Sequence, residues 1–210
     1  MNPAAATVFV VDDDPSALRS VTRLLRLSGF QVAPFESAGT FLAELPPDAP
    51  GCVVTDLRMP DVDGLALQEA LARAGNPLPV IFLSGQGDIP STVRAMRKGA
   101  EDFLTKTAPG NFLVEAIRRA LARDERQRED ARRISAARAL LETLIPRERE
   151  VLAGVLQGRL NKQIAADLGI HERTVKLYRT SLTRKLGVQS GAELARLVAS
   201  ASLPDFPFGQ

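Results

Sequence analysis

The sequence predicts an α/β domain built on a five-stranded, doubly wound parallel sheet, then a long helical linker, then an all-α domain of four short helices. Three observations carry this. Five short apolar or β-branched runs in the first half alternate with helical patterns, as parallel strands do when right-handed crossovers join them. Next comes a stretch with neither Gly nor Pro, from Asn111 to Ile145. Beyond Pro146 the strand-like runs stop, and Gly158, Gly169 and Gly187 divide the chain into four helical patterns.

Taken in order, Thr7-Val8-Phe9-Val10-Val11 is a buried strand that ends in Asp12-Asp13-Asp14. Pro15 and Ser16 open a helix with Leu18, Val21, Leu24 and Leu25 on its apolar face, closed by Ser28-Gly29. A second strand covers Gln31–Glu36, and a short helix near Gly39–Leu45 stops at Pro46-Pro47. Cys52-Val53-Val54-Thr55 is the third strand, ending in Asp56, and Leu65–Ala74 is a helix. Leu78–Leu83 is the fourth strand, ending in Ser84-Gly85. Helix Pro90–Lys98 leads to the fifth strand, Asp102-Phe103-Leu104-Thr105, which ends at Lys106. The 35 residues from Asn111 to Ile145 could form one helix about 52 Å long. Its middle, Arg123 to Arg133, is almost wholly charged and reads as a solvated helix or loose linker. The last four patterns are Arg147–Leu156, Asn161–Leu168, Glu172–Leu186 and Ala192–Ser200, with an irregular tail from Leu203.

The charge is divided unevenly. Residues 1–110 carry a net −4 and residues 111–210 a net +6, within a total of +2. Such asymmetry points to an acidic module joined to one that binds nucleic acid. No apolar run approaches the roughly 20 residues needed to span a bilayer, and MNPAAATVFVVDDD lacks the basic start of a signal peptide. One cysteine, Cys52, rules out an internal disulfide and reads as a buried hydrophobe, so a cytoplasmic protein without a membrane partner is expected.

Ligand chemistry on an open parallel sheet sits just beyond the carboxyl ends of its strands. The ends here are Asp12-Asp13, Asp56, Ser84 and Lys106. Carboxylates within about 5 Å repel by roughly 3 kcal/mol per pair at an effective dielectric near 20, so such a cluster requires a cation or a function. Oxygen ligands favour Mg²⁺, which uses few carboxylates and a substrate phosphate. Asp56 could attack a phosphoryl group as a nucleophile, with the Ser84 hydroxyl and Lys106 on the phosphoryl oxygens. As a lone residue Asp56 could equally do no more than cap its turn.

VVDDDP, TDLRMPDVDG and LSGQGDIPSTVRAMRKGAEDF, with the lysine after them, resemble the receiver domain of two-component response regulators, most closely the FixJ/NarL type. The resemblance spans residues 5–120 and implies a flavodoxin-like, CheY-like sheet with Asp56 as phosphoacceptor. It also implies that Asp13, Asp56 and the backbone carbonyl of Arg58 bind Mg²⁺, with Asp12 acting through water. Ser84 and Phe103 match the hydroxyl and aromatic positions that rearrange on phosphorylation. One position departs from the family. Thr107 follows Lys106 where a proline, often in a cis bond, is usual. A cis bond costs a non-proline residue about 2.5–4 kcal/mol, so a trans bond or a displaced Lys106 is expected.

Asn161–Leu168, a Gly169 turn and Glu172–Leu186 have helix-turn-helix dimensions. LIPREREVLAGVLQGRLNKQIAADLGIHERTVKLYRTSLTRKLGV resembles the LuxR-type DNA-binding domain over residues 141–205, which leaves 121–140 as the linker. The resemblance implies that Lys176, Leu177 and Thr180 meet base edges in the major groove, while Arg173, Thr174, Arg179, Arg184 and Lys185 mainly hold phosphates. Asn161 and Lys162, at the start of the first helix, offer N–H groups to a phosphate. His171 reads as a cap or phosphate neighbour, and Tyr178 as packing.

The function expected is a cytoplasmic response regulator, and Asp56 would take its phosphoryl group from a sensor histidine kinase. Phosphorylation would favour a homodimer on double-stranded DNA with two half-sites, with RNA polymerase as a further partner. Two rivals stand beside it. A haloacid-dehalogenase-like phosphatase would carry its nucleophile in a DxD motif on the first strand, beneath a cap domain; Asp12-Asp13-Asp14 has that spacing, but the carboxylate singled out here, Asp56, ends the third strand, and no cap domain is read. A constitutive DNA-binding protein would use its receiver only to dimerise.

Overall fold

The computed structural model describes residues 6–76, 78–85 and 89–201. Three residues of the fourth-strand motif (Gln86, Gly87 and Asp88) and the tail from Leu203 lie outside them. The chain divides into two compact units, Met1–Arg128 and Glu129–Gln210.

In the first unit, β1 (Thr7–Val11), β2 (Gln31–Phe35), β3 (Gly51–Thr55), β4 (Val80–Ser84) and β5 (Asp102–Thr105) form one sheet in the order β2-β1-β3-β4-β5. Every pairing is parallel. The helices between them are α1 (Pro15–Leu27), α2 (Ala38–Glu44), α3 (Gly64–Arg73) and α4 (Ile89–Arg97), and α5 (Gly110–Glu142) follows β5. Period-two alternation sorts the strand residues between two cores. Phe9, Val11, Val53 and Phe82 pack with Phe41, Leu67, Leu71 and Ala95 on one face. Val8, Val10, Cys52, Val54, Ile81 and Leu83 pack with Leu18, Leu25, Leu113 and Ile117 on the other. The continuous apolar runs of β3 and β4 are buried at every position because both faces are covered.

Two expectations change. The charged stretch after Arg123 is not solvated throughout. Asp124 is 2% exposed and accepts hydrogen bonds from the N–H of Gly51 (2.9 Å) and from Nε of Arg128 (2.8 Å). The other guanidinium nitrogens of Arg128 donate to the carbonyls of Asp48 (3.0 Å) and Ala49 (2.5 Å). Each nitrogen of this fork thus meets an acceptor at the entrance to β3, which is why the Asp124 carboxylate can be withdrawn from water here. Gly51 itself lets β1 pass close beside it, since a Cβ there would lie 1.9 Å from the Thr7 carbonyl oxygen. The long helix also stops earlier than its composition suggests, at Glu142. Ile145 is extended (φ −71°, ψ 159°) because Pro146 disfavours helical geometry in the residue before it.

The second unit contains α6 (Pro146–Leu156), α7 (Asn161–Leu168), α8 (Glu172–Leu186) and α9 (Gly191–Ser200). Leu152, Leu182, Leu186, Leu194 and Val198 form one core with Ala137 and Leu141. Val151, Ile164 and Val175 form a second, with Tyr178 packed against it.

Candidate functional site

Sheet register assembles the first site. Val11 pairs with Thr55, so the next residue of each strand, Asp12 and Asp56, emerges at the same edge. Ser84 pairs with Thr105, and the N–H of Lys106 donates to the Ser84 carbonyl at 2.8 Å, which sends the lysine side chain toward the same edge. Its ammonium stands 2.6 Å from Asp12 Oδ2 and 2.8 Å from Asp56 Oδ2. Asp56 Oδ1 accepts the N–H of Leu57 at 2.6 Å, with that of Arg58 farther off at 3.4 Å. Asp13 is exposed beside them, and one carboxylate oxygen from each of Asp12, Asp13 and Asp56 lies within 4.8 Å of the others.

Burial is the largest single influence on the protonation of Asp12 and of Lys106. It lifts the Asp12 carboxyl above its ordinary 3.8, against the pull of Lys106 and of the Asp14 N–H. For Lys106 burial works against the charge, but the hydrogen bonds to Asp12 and Asp56 prevail and hold the ammonium above its ordinary 10.5. Lysine here acts as a compact point charge shared by two carboxylates.

The Lys106–Thr107 bond is trans, with no cis peptide among the described residues, and Lys106 still reaches both carboxylates. Thr107 Oγ1 instead bonds the Thr105 hydroxyl at 3.2 Å. Ser84 is 2% exposed. Phe103 stacks on Phe82 with centroids 5.8 Å apart. Asp14 and Asp63 serve as helix caps, accepting the N–H groups of Ser16 and Ala66. Gly64 allows a close approach at the turn after Asp56, since a Cβ there would lie 2.3 Å from the Asp56 carbonyl oxygen. Sequence reasoning passed over that glycine, although its place at the close of TDLRMPDVDG was a signal.

The second group lies along α8. Arg173, Lys176, Leu177, Thr180 and Arg184 are exposed, and Leu177 is 65% exposed, while Val175, Leu182 and Leu186 are buried. Lys176 pairs with Glu172 one turn back, at 3.2 Å. Thr174 is half-buried. Arg179 turns to α7 and donates to Asn161 Oδ1 at 2.8 Å, while Lys162 is exposed. His171 occupies the N-cap position without a side-chain cap bond, so of the two roles expected for it the structure withholds the capping one. Lys185 faces inward, with its ammonium 2.7 Å from Glu148. Glu148 was missed. Its place as the third residue of a helix opened by proline was the available signal.

Comparison with known proteins covers nearly the whole chain. Residues 8–118 match the family model of the response regulator receiver domain. Residues 142–198 match that of bacterial regulatory proteins of the luxR family. The chain is 45% identical over 192 residues to Nodulation protein W of Bradyrhizobium diazoefficiens, covering 91% of this chain and 85% of that protein. It is 40% identical over 203 residues to the transcriptional regulatory protein FixJ of Azorhizobium caulinodans, covering 96% and 95%. Among solved structures, the response regulator StyR superposes with a TM-score of 0.87 at 42% identity, covering 93% of this chain and 99% of that one. Among the described residues, no helix is long and apolar enough to cross a membrane.

Proposed function

The chain belongs to the two-component response regulators of the FixJ/NarL type, a receiver domain followed by a LuxR-type DNA-binding domain, and from that premise we propose that phosphorylation of Asp56 controls its dimerisation and DNA binding. The observation that carries this is the Lys106 ammonium held between Asp12 and Asp56 at the edge of the sheet.

A sensor histidine kinase supplies the phosphoryl group, and an Asp56 carboxylate oxygen attacks the phosphorus as the bond to the kinase histidine breaks. Lys106 and the Ser84 hydroxyl take up phosphoryl oxygens. Breaking the Lys106–Asp56 pair in favour of the phosphoryl group is the local change that the rest of the receiver, including Phe103, responds to. The donor set suits Mg²⁺: Asp13, Asp56 and the carbonyl of Arg58 would hold it, with Asp12 through water, and an ion held there would supply positive charge against the phosphoryl oxygens.

In the second domain α8 enters the major groove. Lys176, Leu177 and Thr180 meet base edges, while Arg173, Thr174, Arg179, Arg184, Asn161 and Lys162 lie toward phosphates. Two copies engage half-sites about one helical turn apart. In the cell this takes place in the cytoplasm, with RNA polymerase as the downstream partner.

The test is oligomer mass and DNA affinity of the full chain with and without beryllofluoride and Mg²⁺. Treatment should raise both. Equal affinity before and after would leave a constitutive DNA-binding protein.

A further inference from the structure

Glu148 is the one buried charged residue among the described residues of the second unit. Its carboxylate accepts the N–H of Ile145 at 3.0 Å, the Ser181 hydroxyl at 2.7 Å and the Lys185 ammonium at 2.7 Å. Lys185 also lies 3.4 Å from the Thr143 carbonyl oxygen. One carboxylate therefore ties the start of α6 and the turn before it to two points of α8. Ser181 and Lys185 are four residues apart, so they lie along one stripe of α8 and hold it over a full turn. A grip of that length restrains rotation and sliding of the helix together. The exposed side chains whose aim depends on it, Lys176, Leu177 and Thr180, lie one to five residues upstream of Ser181.

We propose that Glu148 is a positioning residue for the DNA-reading helix and that Lys185 spends its charge on Glu148 rather than on phosphate. This rests on the reading of α8 as the helix that enters the groove. Turning Lys185 outward would leave a buried carboxylate unpaired, a costly state, whereas exposed Arg184 beside it has no such obligation. Burial pushes the Glu148 carboxyl up, but hydrogen bonds from Lys185, Ser181 and the Ile145 N–H outweigh it and keep that carboxyl below its ordinary 4.5. A pair already neutral within the protein releases no counterion from DNA.

The experiment uses the full chain treated with beryllofluoride and Mg²⁺, and a duplex that the wild-type protein selects from a random pool. Affinity for that duplex and for a scrambled one is measured across salt concentrations, at a temperature where circular dichroism shows every variant folded. Because Lys185→Met alone strands a buried charge, the informative variant is Glu148→Gln/Lys185→Met, with Arg184→Gln for comparison. The double variant should keep the wild-type salt slope, while Arg184→Gln should flatten it by about 1. Glu148→Gln should lower the ratio of selected to scrambled affinity about tenfold, or ~1.4 kcal/mol. A double variant whose slope falls as that of Arg184→Gln does would place Lys185 on phosphate and overturn the assignment. An unchanged ratio in folded Glu148→Gln would reduce Glu148 to a stabilising residue and overturn the positioning role. A wild-type chain that selects no duplex would overturn this proposal and the DNA reading together, so the two failures are distinguishable.

Discussion

The ammonium of Lys106 lies 2.8 Å from Oδ2 of Asp56, a residue fifty positions earlier in the chain. β5, which ends at Lys106, lies two strands from β3 in the sheet, and the long lysine side chain reaches past the end of β4 to the carboxylate. If Asp56 is the phosphoacceptor, Asp56→Asn should abolish label incorporation from acetyl phosphate. Lys106→Ala, which removes one stabilising cation from the transfer, should slow it about 10²-fold. Stopped-flow and radiolabel measurements check both, and wild-type incorporation in Asp56→Asn would move the site elsewhere.

Gly64 offers a test of the acceptor turn that leaves every charged group in place. Alanine there would force its Cβ against the Asp56 carbonyl oxygen and the Phe82 ring. Gly64→Ala should destabilise the receiver by about 1–3 kcal/mol, as overpacking does, and slow phosphorylation of Asp56. Urea denaturation and the labelling assay report the two effects separately.

At the opposite end of the same strand, Arg128 and Asp124 close over the entrance to β3. Arg128→Ala leaves Asp124 buried without its cation and should cost about 3–5 kcal/mol. Asp124→Asn should cost less, since an amide oxygen still accepts from Gly51 and Arg128 is partly exposed. Comparison of the urea midpoints checks the order.

The two kinds of DNA contact should separate by salt. Lys176→Ala should cost about 1–3 kcal/mol on preferred sites and relax base preference, whereas Arg184→Ala should weaken all duplexes alike and flatten the salt slope by about 1. Binding to selected and random duplexes across salt concentrations distinguishes them, and identical losses of preference would mean the groove assignment is wrong.

Acid should act on the second domain through Glu148. Its carboxyl titrates below the ordinary 4.5 in the folded state. The stabilisation it brings is therefore fully present above that value and is lost as pH falls through the lower, folded-state value. Glu148→Gln should be less stable than wild type at pH 7 and show a flatter fall in stability below pH 4.5. Thermal midpoints of the C-terminal transition from pH 3 to 7 test this.

The strands and the acidic edge were legible because they are written locally: an apolar run, then Asp12, Asp56, Ser84 or Lys106 where it stops. The order of the strands adds only which ends meet. On α8 the side chains expected to face DNA divide: Lys176, Leu177 and Thr180 are exposed, whereas Arg179 bonds Asn161 and Lys185 bonds Glu148. What escaped is non-local. Asp124 bonds the N–H of Gly51, 73 residues away, so the charged stretch around it looked wholly solvated. Lys185 resembled every other cation on its helix until Glu148, 37 positions earlier, met it inside the fold. A buried ion pair carries no mark in either of its two segments alone.

The Arg128 fork also decides where this receiver can be cut for grafting. A chimaera spliced at residue 120 would discard the cap over the entrance to β3 and expose Gly51 and its neighbouring carbonyls. Fusions that exchange output modules should keep this chain through residue 128 and place the seam in the residues after it.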